Sequence, residues 1–137
     1  QKFDTIVCLN VLEHIKDDEA ALQNMYNLLN NGGKLTLLVP IYNFLYGEID
    51  RAIHHYRRYE QDEIIKKLER AGFTVETTKF FNIAGVPGWY LNSRMLKRNS
   101  VPGMQARLNS LLVPLLRLEK NFTLPWGMSL LAVGQKP

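Results

Sequence analysis

The sequence predicts an α/β fold built on an open, largely parallel sheet, and three observations carry that prediction. Two apolar runs, Thr5–Leu9 and Leu35–Val39, flank a stretch with helical periodicity. A second helix-then-strand unit follows between Ile64 and Phe81, and a further apolar run at Met128–Val133 lies near the C-terminus. Parallel strands need a crossover of a dozen or more residues, and the segment between the first two runs supplies one.

From Thr5 to Leu9 the side chains are apolar without alternation after Thr5, the pattern of a strand covered on both faces. Between Asp17 and Leu29, residues Ala21, Leu22, Met25, Leu28 and Leu29 recur at spacings of three and four and form one helical stripe. Asp17, Asp18 and Glu19 suit the positive N-terminal end of that helix. Gly32 and Gly33 predict a left-handed turn at its end, after which Leu35–Val39 resumes an apolar run that Pro40 stops. Ile64, Ile65, Leu68 and Ala71 mark an amphipathic helix, supported by a Glu63–Lys67 pair and ended by Gly72. Residues 73–81 alternate as a strand, with Val75 opposite its charged neighbours. Residues 83–125 are too long for a turn between strands and read as a helical insertion. Its first helix begins near Pro87, a turn spans Asn99–Gly103, and Met104, Leu108, Leu111, Leu112 and Leu115 line a second helix kinked by Pro114.

At 137 residues, 46% hydrophobic and 22% charged, the chain has the composition of a single globular core. No stretch reaches the roughly 18–20 uninterrupted apolar residues that span a bilayer, and no charged-then-apolar leader opens the chain. The lone Cys8 has no intrachain partner and is expected as a buried thiol. These features lead to the expectation of a cytoplasmic protein. The net charge of +4 is unevenly spread: residues 1–82 carry ten basic and twelve acidic side chains, whereas residues 83–122 carry six basic and one acidic. The basic excess is modest and is not interleaved with aromatics along a stripe, so nucleic acid is not an expected partner. The insertion serves as a cap, a dimer surface or a face resting peripherally on an anionic membrane, the cap being the simplest reading.

Three clusters bear chemistry. Asn10, Glu13 and His14 lie just past the first strand, where open α/β sheets bind ligands. His14 has a reference pKa near 6.5 and suits a general base, with Glu13 as the competing base. The alternative is that both cap the following helix. His54, His55, Tyr56, Arg57, Arg58 and Tyr59 form the second cluster. Its arginines either meet an acidic substrate or pair with Glu48, Asp50 or Asp62 as anchors. Tyr42, Phe44 and Tyr46 alternate after Pro40 and either wall an acceptor pocket or pack a lid. The three histidines lack a zinc-type spacing, and adjacent His54 and His55 cannot form an i, i+4 ligand pair, so no metal site is expected.

The combination FDTIVCLNVLEHI, GGKLTLLVP, HYRRY, DEIIKKLERAGF and TVETTKFF resembles the C-terminal half of a class I S-adenosylmethionine-dependent methyltransferase. The resemblance covers most of residues 1–82 and the last strand. It implies a partial Rossmann-like, doubly wound sheet in which these strands are the fourth to seventh. The seventh is antiparallel and inserted between the fifth and sixth. The cofactor-binding first three strands of the family have no counterpart here, so the chain is expected to be the C-terminal part of a longer single domain. The resemblance further implies S-adenosylmethionine as cofactor, with Leu9, Asn10, Val11 and Glu13 beside it and His14 and His55 as catalytic candidates. Tyr42, Tyr46, Arg57, Arg58 and Tyr59 become candidates for binding a small-molecule, glycan or lipid-linked acceptor.

Methyl transfer relies mainly on alignment and exclusion of water, so neither a metal nor a covalent nucleophile is expected from it. Two rival readings are a nucleotide-dependent oxidoreductase half-domain, which an all-parallel sheet would favour, and a non-catalytic association module. Without a neighbour for its first strand, the chain is expected to dimerise, swap elements or aggregate.

Overall fold

The computed structural model describes residues 1–100, Gly103 and residues 125–137. In chain order the elements are β1 (Phe3–Leu9), α1 (Asp18–Leu28), β2 (Leu29–Pro40), α2 (Glu48–Ala52), α3 (Gln61–Arg70), β3 (Thr74–Phe81), α4 (Gly85–Trp89) and β4 (Ser129–Gln135). The strands form one sheet in the order β1-β2-β4-β3. β1 and β2 are parallel, and β4 runs antiparallel to both β2 and β3. The last strand thus enters between β2 and β3 in the opposite direction, as expected from the sequence.

β2 and β4 are the central strands, and their side chains Leu35, Leu37, Val39, Leu130 and Ala132 join Leu22 of α1 and Ile64 and Leu68 of α3 in one core. α3 is where the helical pattern puts it. Gly72 follows it with φ +99°, its Cα facing the Tyr26 ring so closely that a Cβ would lie 2.9 Å from the ring carbons. The second helix expected at Met104–Leu115 lies outside the described residues.

Three local readings change. α1 ends at Leu28, and β2 begins at once with Leu29 in extended conformation. No glycine is needed to end the helix, because the Lys136 ammonium donates to the carbonyls of Tyr26 (2.9 Å) and Leu29 (3.0 Å). A cation at a helix C-terminus satisfies carbonyls that would otherwise be orphaned. Gly32, with φ +78°, instead sits within β2, and its N–H donates to the Lys136 carbonyl. Lys67 does not pair with Glu63; its ammonium bonds Asp18 (3.1 Å) and Glu19 (3.2 Å) across the α1–α3 interface.

The third change concerns β1. Only Cys8 of this strand is buried, while Val7 is 60% and Leu9 48% exposed. Among the described residues β1 pairs with β2 alone, so its other edge carries unpaired backbone groups. Apolar side chains on an open edge favour pairing with another chain. Size-exclusion chromatography of the 137-residue chain should therefore show self-association, and Val7→Lys should shift it toward monomer. A monomeric unaltered chain would contradict the self-association, and an oligomer that Val7→Lys leaves unchanged would contradict the edge as its cause.

Candidate active site

The site forms where the chain leaves β1 and β2 on the same side of the sheet. After Leu9, Asn10 turns left-handed (φ 52°), a conformation that asparagine tolerates, and its N–H donates to the Leu38 carbonyl at 2.9 Å. A single 3₁₀ turn follows over Leu12–His14. It buries Leu12 and Glu13 completely and leaves His14 exposed. Leu9 and Val11 are half exposed beside it.

The chain leaving β2 makes a longer excursion and returns on itself. Ile41 bridges Tyr59 in parallel, with Tyr42 N–H donating to the Tyr59 carbonyl (2.8 Å) and Tyr59 N–H to the Pro40 carbonyl (3.1 Å). Within the closed loop lies Asp50, a fully buried carboxylate. One oxygen accepts from His55 Nδ1 and Arg58 Nε, both at 2.9 Å. The other accepts from Gly47 N–H at 3.1 Å and Trp89 Nε1 at 3.3 Å. Burial alone would raise the Asp50 pKa. The His55 hydrogen bond and the Arg58 charge outweigh it and hold the carboxyl below its ordinary value. Arg58 also donates to the Ile41 carbonyl at 3.2 Å, and its guanidinium lies 4.6 Å from the Trp89 ring centre.

The two loops are fastened together. Tyr56 N–H donates to the Glu13 carbonyl at 2.8 Å, and the rings of His14 and His55 meet edge to face at 4.6 Å. His55 Nε2 stands 3.8 Å from Glu13 Oε1. Both Glu13 carboxylate oxygens are buried without a hydrogen-bond partner among the described residues. Burial pushes the Glu13 pKa up, against the lowering effect of its own backbone N–H and of His55, His14 and Arg58.

A second buried carboxylate, Asp18, holds the loop from the other side. It accepts from the Tyr59 hydroxyl (2.9 Å) and pairs with Lys67 (3.1 Å) and Arg57 (2.9 Å). Tyr59 is fully buried and also contacts the Leu12 carbonyl at 3.3 Å, while Arg57 donates to the Lys16 carbonyl at 2.7 Å.

A cleft of about 410 Å³ opens over these loops. Of the residues singled out in the sequence, it brings together Asn10, Glu13, His14, His55 and Arg58. Leu9, Val11, Tyr42, Tyr46, Arg57 and Tyr59 do not line it. Arg57 and Tyr59 are engaged with Asp18, which is not among the acidic partners Glu48, Asp50 and Asp62 of the sequence reading, whereas Arg58 takes Asp50, which is. Tyr42 stacks on Phe44 at 5.4 Å between ring centres, and the Tyr46 hydroxyl donates to the His55 carbonyl at 2.8 Å, which is packing within the loop.

Several lining residues carry no sequence signal as a site: Ile53 in the loop, Asn82 after β3, and Met128 and Ser129 at the start of β4, whereas Trp89 belongs to the insertion read as a cap over the acceptor. Asp50, which orients His55 and Arg58, stands out in the sequence only as one of three acidic partners for an arginine. The insertion meets the same loop. Ile49 N–H donates to Ser93 Oγ at 3.3 Å, and a Cβ on Gly47 would lie 2.6 Å from the Ser93 carbonyl oxygen.

A mixed sheet with an antiparallel last strand and a polar cleft beyond the C-terminal ends of β1 and β2 defines a partial Rossmann-like, doubly wound fold. A family model described as a methyltransferase domain matches residues 1–78, and the chain belongs to that family, as its class I resemblance implies. Solved structures agree on the fold. An S-adenosylmethionine-dependent methyltransferase from Thermotoga maritima is 17% identical, with a TM-score of 0.59 over 100% of this chain and 57% of its own length. One from Mesorhizobium loti is 14% identical, with a TM-score of 0.58 over 98% of this chain and 62% of its own. The cyclase SpnF, at 12% identity and a TM-score of 0.58, covers 99% of this chain and 50% of its own length. The chain thus spans between half and two thirds of these structures. No curated protein sequence matches it.

The Asp18 cluster predicts an acid-sensitive joint. Burial alone would raise the Asp18 pKa, but the hydrogen bonds from Lys67 and Tyr59 and the charges of Lys67 and Arg57 hold it below its ordinary value. A depressed folded pKa contributes stability that is complete above the unfolded value of about 3.9. That stability is lost as pH falls through the folded value. Thermal melts followed from neutral pH to below pH 4 should show this loss, and Asp18→Asn should flatten that part of the profile while lowering stability near neutrality. An unchanged acid limb in Asp18→Asn would contradict the assignment.

Proposed function

We propose that this chain forms the acceptor-side wall of an S-adenosylmethionine-dependent methyltransferase acting on a small-molecule, glycan or lipid-linked acceptor. The observation that carries the reading is the convergence of Asn10, Glu13, His14 and His55 on one cleft beyond the C-terminal ends of β1 and β2, within the region matched by the family model. An open α/β sheet binds its ligand at this position. The antiparallel β4 speaks against an oxidoreductase half-domain.

Bound S-adenosylmethionine supplies an electrophilic methyl group. This chain's residues then have three tasks. The backbone of Leu9, Asn10 and Val11 flanks the cofactor's methionine end, and the left-handed turn at Asn10 allows the chain to bend away there. The cleft walls hold the acceptor in line and keep water out. His14 or His55 receives a proton at a ring nitrogen where the acceptor must lose one, a contribution of about 10²–10⁴ in rate.

The same proposal has the chain working as the C-terminal part of a longer domain in the cytoplasm, with Trp89 at the start of the insertion forming part of the cleft wall. Alone, it is inactive and self-associating. Calorimetric titration with S-adenosylmethionine tests the reading, on this chain and on a form extended upstream through three further strands. Binding by the extended form, weakened when Asn10 is replaced by a bulky β-branched residue, is the expected result. Binding by neither form would overturn the proposal in favour of an association module.

A further inference from the structure

The carboxylate of Glu13 has no hydrogen-bond partner among the described residues. Its two oxygens are buried, and a buried carboxylate without compensation is strongly disfavoured as an anion. The guanidinium of Arg58, which lines the same cleft, is bound instead to Asp50 and the Ile41 carbonyl. Facing Glu13 are the rings of His14 and His55, and one ligand atom from each of the three residues lies within 4.8 Å of the others.

The orientation of His55 is fixed from behind. With Nδ1–H donated to Asp50, Nε2 is the nitrogen left facing Glu13, 3.8 Å from its Oε1. Two atoms at that distance are too far apart to share a hydrogen bond. They are close to the roughly 3.4 Å that separates two ligands of a tetrahedral ion with bonds of about 2.1 Å. A carboxylate behind a histidine is the outer support that metal-ligating imidazoles use.

We propose that Glu13, His14 and His55 form a binding site for a divalent transition-metal cation of the Zn²⁺ type, with Asp50 as the positioning residue behind His55. Two imidazoles and one carboxylate suit Zn²⁺, Co²⁺ or Ni²⁺, whereas Mg²⁺ and Ca²⁺ take oxygen ligands. Three protein ligands leave a further position free, as in catalytic zinc sites. All three residues line the cleft, so that position faces the acceptor space and takes an oxygen of water or acceptor. The proposal rests on the methyltransferase reading for its role in catalysis, where a bound ion would take the place of the free imidazoles of His14 and His55 by lowering the pKa of an acceptor oxygen at its open position, but the site itself rests on the three side chains. It departs from the sequence expectation, which weighed the spacing of the histidines without a buried glutamate between them.

The test is Zn²⁺ retention by the 137-residue chain. After chelator treatment, the protein is equilibrated with Zn²⁺, dialysed and assayed for metal, and the affinity is measured by competition with a chromophoric chelator. Co²⁺ in place of Zn²⁺ gives a visible absorption spectrum that reports its ligands. The expected result is about one ion per chain. Affinity should fall about tenfold or more in His14→Gln and Glu13→Gln, and about 10–100-fold in Asp50→Asn. His54→Asn should bind as wild type, since exposed His54, at φ 61°, lies outside the cluster. His14 is exposed, so its variant tests the site even if the substitution at buried Glu13 unfolds the chain. No retained Zn²⁺ in the wild type, wild-type affinity in His14→Gln, or equal loss in His54→Asn would overturn the proposal. The readout uses neither S-adenosylmethionine nor an acceptor, so its failure is distinguishable from failure of the methyl-transfer reading.

Discussion

The buried carboxylate of Asp50 is the constraint on which the cleft depends. Removing a carboxylate and a guanidinium from water costs several kcal/mol per ion, and mutual attraction offsets this only when the remaining lone pairs are also satisfied. Asp50 meets that condition, with four donors on its two oxygens. Each donor comes from a different part of the surrounding chain: the start of α2, the histidine after it, the arginine before α3, and the tryptophan of the insertion. One charge therefore fixes the shape of the loop after β2 and the orientation of His55 and Arg58 within it. Removing the carboxylate would leave Arg58 buried and unpaired, a defect of about 3–5 kcal/mol.

Asp18 does for the underside of the loop what Asp50 does for the cleft side. The neighbouring arginines divide between them: Arg57 reaches Asp18 and the Lys16 carbonyl, and Arg58 reaches Asp50 and the Ile41 carbonyl. Successive side chains in an extended segment point to opposite faces, so adjacent arginines are suited to holding two layers at once. Beneath both anchors, the buried rows of β2 and β4 provide the rigid platform on which a site requires its supporting residues. Among the described residues the cleft is left with one buried unsatisfied side chain, Glu13, and it sits where the two loops meet.

The sheet was largely legible in the sequence because buried strands and amphipathic helices leave periodic traces. The direct passage from α1 to β2 was hidden, since Gly32 and Gly33 carry the usual mark of a helix end while the actual stop depends on Lys136, more than a hundred residues away. The exposure of β1 is not written in its apolar run, which reads the same whether its neighbour is present or not; it was expected only from the family resemblance, which leaves this strand without a partner. At the site, Asn10, Glu13, His14, His55 and Arg58 stood out through their position after strands or their clustering. Asn82 and Ser129 did not, because they reach the cleft only through the order of the strands, and Trp89 was legible only as part of a capping insertion. Whether an arginine faces substrate or a buried partner is a question of side-chain direction, which spacing does not encode.

The central claim is that Asp50 fixes His55, holding Nδ1–H on its carboxylate and turning Nε2 toward Glu13. Nitrogen-15 NMR of the imidazole reads the Nδ1 proton directly. The account predicts a protonated Nδ1 for His55, hydrogen-bonded to Asp50 and lost from that bond when Asp50 is replaced by alanine. An unprotonated Nδ1 in the unaltered chain would contradict it.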